Sequence, residues 1–287
     1  MADKAKDRNT LLQGMMDITD KEFSLFSKMI YKNFGIDLNE SKRSLLVRRL
    51  QFIVRKQGFV NFQGYYDYLM KNPTDGNFTE LVNRITTNYT FFNREPDHFD
   101  YFSKVVLPWM HQTHVANNNR DLRVWCAAAS TGEEPYMLAM LLLEFLGSHY
   151  VNWSAGVLGT DISERALSTA IKGRYPIDEF DKLPIHLRNR WFKKNGTGEL
   201  EAVPKLKNEV TYRRFNLINK IYPFKRPFDV IFCRNVMIYF DNPTKEYVVS
   251  KLYDCLVPGG YLFLGHSESI TRGNNRFNYI LPAVYRK

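Results

Sequence analysis

A chain of 287 residues and 33.8 kDa has room for one large domain or two ordinary ones and needs no covalent staples to bury a core. Its 44% apolar and 24% charged residues exclude fibrous repeats and long disordered tails, and three cysteines (Cys126, Cys233, Cys255) exclude a disulfide framework. A net charge of +10 implies an anionic partner, whether nucleic acid, acidic membrane or acidic protein.

The opening ten residues are polar and charged, with no apolar segment resembling a signal. The longest apolar run, 137–146, is interrupted by Glu144 and falls far short of the ~20 residues that span a bilayer. A reducing, cytoplasmic location is expected. Thr19 and Glu22 have the spacing of a capping box, and Phe23, Phe26, Ile30 and Phe34 follow at helical intervals to a stop at Gly35. A second helix is expected over 39–58, with Leu46, Val47, Leu50, Ile53 and Val54 on one side. Opposite them Lys42, Arg49 and Lys56 repeat every seven residues, with Arg48 and Arg55 alongside, and no acid interrupts them. Such a stripe is either a docking face or a solvated helix surface. Phe62, Tyr65, Tyr66 and Leu69 suggest a third helix, 73–77 a turn and 79–85 a fourth helix.

From about residue 121 the pattern changes. Strands are expected at 122–127, 156–160, 229–233 and 261–264, with a helix over 136–145. The alternation predicts a doubly wound parallel sheet, interrupted over about 175–214 by a small inserted β element. At the first strand–helix join, VWCAAASTGEEPY, small residues would let a ligand approach the backbone outside the strand ends. Neither the dinucleotide fingerprint nor a Walker loop is present. Glu133 and Glu134 suit a cation better than a pyrophosphate, although a tight turn with solvated acids would look the same.

Asp161, at the end of VLGTD, is placed either to accept from ribose hydroxyls or to cap the following helix. Asn88, Thr90 and Arg94 stand among Tyr89, Phe91 and Phe92, as a pocket lining or a linking loop would. In CRNVMIYF, Arg234 and Asn235 follow a buried strand, Cys233 reads as a core residue, and Tyr239 either faces a pocket or packs. Together these clusters describe a site for a cationic nucleoside, and S-adenosylmethionine fits that description.

The segments NYTFFNRE, VWCAAASTGEEPY, LGTDIS, FDVIFCRNVMIYF and PGGYLFLGHSES resemble the CheR family of chemoreceptor glutamate methyltransferases. The resemblance covers nearly the whole chain. It implies an all-α N-terminal domain with linker over 1–95 and a class I, Rossmann-like S-adenosylmethionine methyltransferase domain over 96–287. It implies a receptor glutamate as acceptor and a γ-methyl ester as product. Binding positions implied for the methyl donor are Asn88, Thr90, Arg94, Glu134, Asp161, Asn216, Leu217, Arg234 and Asn235, with Tyr239 facing the reacting centre. Lys42, Arg48, Arg49, Arg55 and Lys56 are then expected to meet an acidic helical bundle of the receptor.

No metal, no nucleic acid, no membrane contact except through receptors, and a monomeric state are the remaining expectations. In some members a longer loop of the β-subdomain docks a receptor tail. The run NGTGELEAVPKLKNEV is a few residues shorter, so this chain is expected to find its receptor without that tether. An RNA methyltransferase is the alternative that the charge admits. However, no Asn/Asp-Pro-Pro-aromatic run and no Pro-Cys dipeptide supports base methylation.

Overall fold

The computed structural model describes residues 16–73, 75–86, 88–270 and 276–287. The opening ten residues, and Thr74 in the predicted turn, lie outside them. Two compact units meet in sequence between residues 87 and 88. The segment 88–95, expected with the first unit, therefore belongs to the second.

The first unit is helical. Helix α1 (Asp20–Phe34) carries both halves of its capping box: the Thr19 hydroxyl accepts from Glu22 N at 3.2 Å, and Glu22 Oε2 accepts from Thr19 N at 2.8 Å. Gly35 ends it in the left-handed conformation at φ 70°. The other Glu22 oxygen accepts from Gln63 N at 2.8 Å, at the start of α3 (Phe62–Lys71). Burial alone would raise this carboxyl; its bonds to Thr19 and to the α3 backbone hold it below the ordinary range. Helix α2 (Arg43–Lys56) buries Leu46, Val47, Leu50, Ile53 and Val54, as its periodicity predicts. Helix α4 spans Asp75–Ile85 and so begins inside the segment read as a turn. Pro73 restricts the residue before it but leaves the chain free to turn helical afterwards.

The second unit opens with α5 (Pro96–Tyr101), a π-turn over Phe102–Val106, and α6 (Leu107–Ala116). Pro108 accounts for the π-turn: it has no N–H to donate and crowds the carbonyl four residues back, so the ladder widens there.

Ten strands follow. Seven form one sheet in the order β6-β2-β1-β7-β8-β10-β9. These are β1 (Asp121–Cys126), β2 (Ser154–Asp161), β6 (Val210–Arg214), β7 (Phe228–Cys233), β8 (Leu256–Leu264), β9 (Asn278–Leu281) and β10 (Val284–Arg286). The first five pair in parallel, and β10 runs antiparallel between β8 and β9. Every residue of β7 is buried, as a central parallel strand requires. Helices α7 (Glu133–Leu146), α8 (Glu164–Lys172) and α11 (Asn242–Asp254) are the crossovers after β1, β2 and β7, with the short α9 (Ile185–Trp191) and α10 (Pro204–Asn208) between α8 and β6. The chain steps outward from β1 to β2, then returns to place β7 on the other flank of β1. Ligands bind at such a reversal, outside the strand ends.

The small inserted sheet is β3 (Arg174–Tyr175), β5 (Leu200–Ala202) and β4 (Phe192–Lys194), in that order. It is narrower than the expected 175–214. Residues 210–214 are β6, which pairs with β2 from Val157↔Val210 to Asp161↔Arg214. The charges of that stretch hid an edge strand whose inward positions, Val210 and Tyr212, are buried. Phe92 anchors the small sheet, stacking on Phe180 at 4.8 Å and meeting Tyr175 and Phe192 edge-on.

Candidate active site at the strand ends

Past Cys126 the chain stays laced to its neighbours. Ala127 N donates to Phe232 O at 2.7 Å and Ala129 N to Thr160 O at 2.8 Å. It then turns through Ser130 (φ 47°) and Gly132 (φ 103°) into α7. The small residues of this turn were expected to admit a ligand. At Gly132 the requirement comes from behind: a Cβ there would lie 2.7 Å from Ala170 Cβ and 2.8 Å from the Tyr175 hydroxyl. That hydroxyl donates to Thr131 O at 2.8 Å and ties the small sheet to the turn.

Asp161 closes the turn from the β2 side. One of its oxygens accepts from Ser130 N and the other from Ser163 N, each at 2.8 Å. The N-cap of α8 is Ser163, whose hydroxyl accepts from Ala166 N, so Asp161 is not the helix cap. Burial raises the Asp161 carboxyl against the pull of these N–H groups. A carboxylate offers about four acceptor positions, which leaves capacity for a ligand hydroxyl. Asn88 joins the same corner, accepting from the Ser130 hydroxyl at 3.1 Å through its carbonyl and reaching the Ser163 hydroxyl at 3.4 Å. Thr90 lies half-buried two residues on. Beyond β6, Phe215 N donates to Asp161 O at 3.0 Å, which brings half-buried Asn216 to the end of β2. Leu217 is buried with Trp125, Ala127 and Phe215.

The β7 side is built around one buried cation. The Arg234 guanidinium donates to Glu134 at 2.7 Å, to Glu95 at 2.9 Å and to the Arg94 carbonyl at 2.5 Å, and its side chain is 1% exposed. Burial raises the Glu134 carboxyl and outweighs the neighbouring guanidinium. Burial works on Glu95 in the same direction, but there the Arg234 charge and its hydrogen bond prevail and hold the carboxyl low. Asn235 sits in the left-handed region at φ 57° and donates from its side chain to Glu95 at 3.2 Å. Arg94 donates to the Tyr89 carbonyl at 3.0 Å, within its own loop. Tyr239 ends a one-turn helix over Met237–Tyr239, half-buried against the apolar layer of α11 and β8.

Two acids of this rim, Glu95 and Glu268, escape the sequence reading, and a third, Glu133, is left open by it. Glu95 lay inside a quoted motif without a role, yet it binds Arg234, Asn235 and the His266 backbone N–H. Its own φ of 58° is unusual for a side chain this long, and Asn93, Ser130 and Asn235 share that conformation at the same rim, where functional sites commonly concentrate strain. Glu133, read with Glu134 as suited to a cation or else solvated, is buried; burial pushes its carboxyl up to about 7, and the Thr131 hydroxyl donates to it at 2.8 Å. Glu268, in GHSES, accepts from four backbone N–H groups. Nothing in the local pattern distinguishes such acids from solvated ones.

Glu95, His98 and His266 also bring ligand atoms within 4.8 Å of one another. The Glu95 oxygen involved is already held by Arg234 at 2.9 Å, and burial and then the Arg234 charge push His98 down to about 4. A second cation there would face that guanidinium without screening, so the cluster does not suit a metal.

In the first unit the expected basic stripe divides. Arg48, Arg55 and Lys56 are exposed. Lys42 donates to the Asp37 carbonyl at 2.8 Å. Arg49 departs from the expected docking role: half-buried, it donates to the carbonyls of Ile85 and Thr86 at 2.9 and 2.6 Å and so caps the end of α4.

A cationic nucleoside fits the second unit's rim. It offers a carboxylate with spare acceptor capacity at the end of β2, acids rather than lysines beside the turn, and an apolar wall at Leu217. Comparison with known proteins agrees. Residues 21–86 match the CheR methyltransferase all-alpha domain, and residues 88–285 the CheR methyltransferase SAM binding domain. A chemotaxis protein methyltransferase of Borreliella burgdorferi is 39% identical over 272 residues, covering 95% of this chain and 96% of its own. The chemotaxis protein methyltransferase of Escherichia coli is 36% identical, with 93% and 91% covered. A probable one of Rhizobium etli is 35% identical, with 90% and 96% covered. The chain belongs to the CheR methyltransferase family and is an S-adenosylmethionine-dependent methyltransferase.

Proposed function

We propose that this chain methylates glutamate side chains in the cytoplasmic helical domain of chemoreceptors, giving γ-methyl esters. The observation that carries the reading is the Arg234 guanidinium held between Glu134 and Glu95 at the strand-end rim of a chain that belongs to the CheR methyltransferase family. A glutamate side chain has a pKa near 4.3 and is already a nucleophile at neutral pH, so alignment is the chemistry required. S-adenosylmethionine, when bound, supplies an electrophilic methyl group on a sulfonium.

The residues divide the work. Asp161 accepts from the ribose hydroxyls, and Asn88 and Thr90 line the same corner. Asn216 and Leu217 flank the adenine. Glu134, steadied by Arg234, attracts the donor's cationic end, and Asn235 completes that wall. Arg94 grips a carboxylate with its guanidinium fork while Tyr239 faces the reacting centre. The exposed cations Arg48, Arg55 and Lys56, flanked by Lys42 and Arg49, meet the acidic receptor bundle. The chain works in the cytoplasm as a monomer and approaches the membrane only through its receptors. Among the described residues no helix is long and apolar enough to cross a membrane. An RNA substrate is not favoured by relatives that are chemotaxis protein methyltransferases.

Incubation with labelled donor and either receptor fragments or RNA tests the reading. Base-labile label on receptor supports it, whereas label on RNA, or none on either, refutes it. Arg94→Ala should lower kcat/KM by roughly 100-fold with folding intact, as misplacement of a reacting group does; turnover near normal would remove Arg94 from the reaction.

A further inference from the structure

We infer that Glu268 is a positioning residue for methyl transfer: its carboxylate fixes the turn that presents Asn235 and Tyr239. The inference rests on the proposed role of Tyr239. Glu268 is 7% exposed, and its two oxygens divide four backbone donors between them. Oε2 accepts from Gly265 N at 2.6 Å and Asn235 N at 2.8 Å; Oε1 accepts from Met237 N at 2.7 Å and Ile238 N at 3.3 Å. The last two N–H groups open the one-turn helix over Met237–Tyr239, and a helix start leaves such donors without partners of its own. Glu268 supplies the cap from another strand end.

The turn needs holding. Asn235 is left-handed at φ 57°, a conformation that persists when its surroundings over-determine it. Glu95 holds its side chain and Glu268 its backbone, so two carboxylates fix one residue from opposite ends. Gly265 permits the approach: a Cβ there would lie 2.5 Å from Asn235 Nδ2 and 2.9 Å from Glu268 Oε2. An ionised carboxylate suits four donors because it accepts and never donates. A carboxamide in its place would turn an N–H toward two of them.

The test uses the full chain with Glu268→Gln, and Gly265→Ala as a second disruption that leaves the carboxylate in place. Amide hydrogen exchange without any ligand is the first readout. The amides of Asn235, Met237 and Ile238 should exchange at least ~10-fold faster in either variant, while those of β7 keep their protection. The second readout is a double-mutant cycle on kcat with Tyr239→Phe, using receptor fragments. Glu268→Gln alone should lower kcat at least ~10-fold with little change in receptor KM, and less than ~2-fold once Tyr239 is Phe. A merely structural residue would cost the same in both backgrounds, and that result overturns the inference. Unchanged exchange, or unchanged kcat in the single variant, does so too. A wild-type chain that labels no receptor fragment would overturn the proposed function instead, and the exchange experiment would still judge the clamp. Should Glu268→Gln fail to fold, Gly265→Ala carries the same cycle.

Discussion

The two units handle positive charge in opposite ways. On α2 of the helical unit, Arg48, Arg55 and Lys56 are exposed, and exposed charges contribute little to stability and much to long-range attraction. In the sheet unit Arg234 is enclosed and held by two carboxylates and a carbonyl. The same side-chain chemistry therefore serves encounter in one place and architecture in the other. Arg49 stands between these cases: it lies in the stripe by sequence yet caps α4 by contact.

The sharpest way to break this contrast is Arg234→Met. It strands Glu95 and Glu134 away from water without a counter-charge, and loss of one partner of a buried pair costs about 3–5 kcal/mol. Denaturant unfolding measures it; a loss below about 1 kcal/mol, the range of exposed pairs, would show that Arg234 behaves like a surface cation. Asp161→Ala comes next. Removing a charged acceptor should weaken donor binding by roughly 10–100-fold in calorimetry, and an unchanged affinity would take Asp161 out of the site. Arg48→Gln with Arg55→Gln should leave stability within about 0.5 kcal/mol while raising receptor KM several-fold at low salt and flattening its salt dependence. Salt dependence as steep as that of the wild type would remove these residues from docking.

The last prediction concerns pH. Burial pushes Glu133 up from an ordinary value of 4.5 to about 7, so the folded chain holds this proton where the unfolded chain has lost it. Stability from this group is full below about pH 4.5, falls as pH rises to about 7 and is flat above. Glu133→Gln should remove that decline. Thermal melts of both proteins across the window check it, and parallel curves would refute the assignment. His98, pushed down to about 4 by burial, works in the opposite sense and is common to both proteins.

Much of the fold was legible because its signals are local. The Thr19–Glu22 cap, the Leu46–Val54 face and the apolar β7 can each be read from a few consecutive residues. The helix after Pro73, the π-turn before Pro108 and the edge strand β6 were not, because there a tertiary partner or a single ring overrides the local pattern. The candidate site divides in the same way. Asp161, Arg94 and Arg234 stand at recognisable joins between elements. Glu95 and Glu268 acquire their roles only when strand ends far apart in sequence meet, as the bond from Asn235 N to Glu268 does across 33 positions.

Gly132 has one last consequence, for anyone who would redesign this enzyme's preference among nucleosides. Ala170 and Tyr175 wall it in on the side away from solvent, so even an alanine there would force the helix and the small sheet apart before any ligand arrived. Ala128 and Ser130 are half-buried in the same turn, but Ser130 is left-handed at φ 47° and bonded to Asp161 and Asn88. Libraries aimed at this turn are best confined to 128, leaving 130 and 132 untouched.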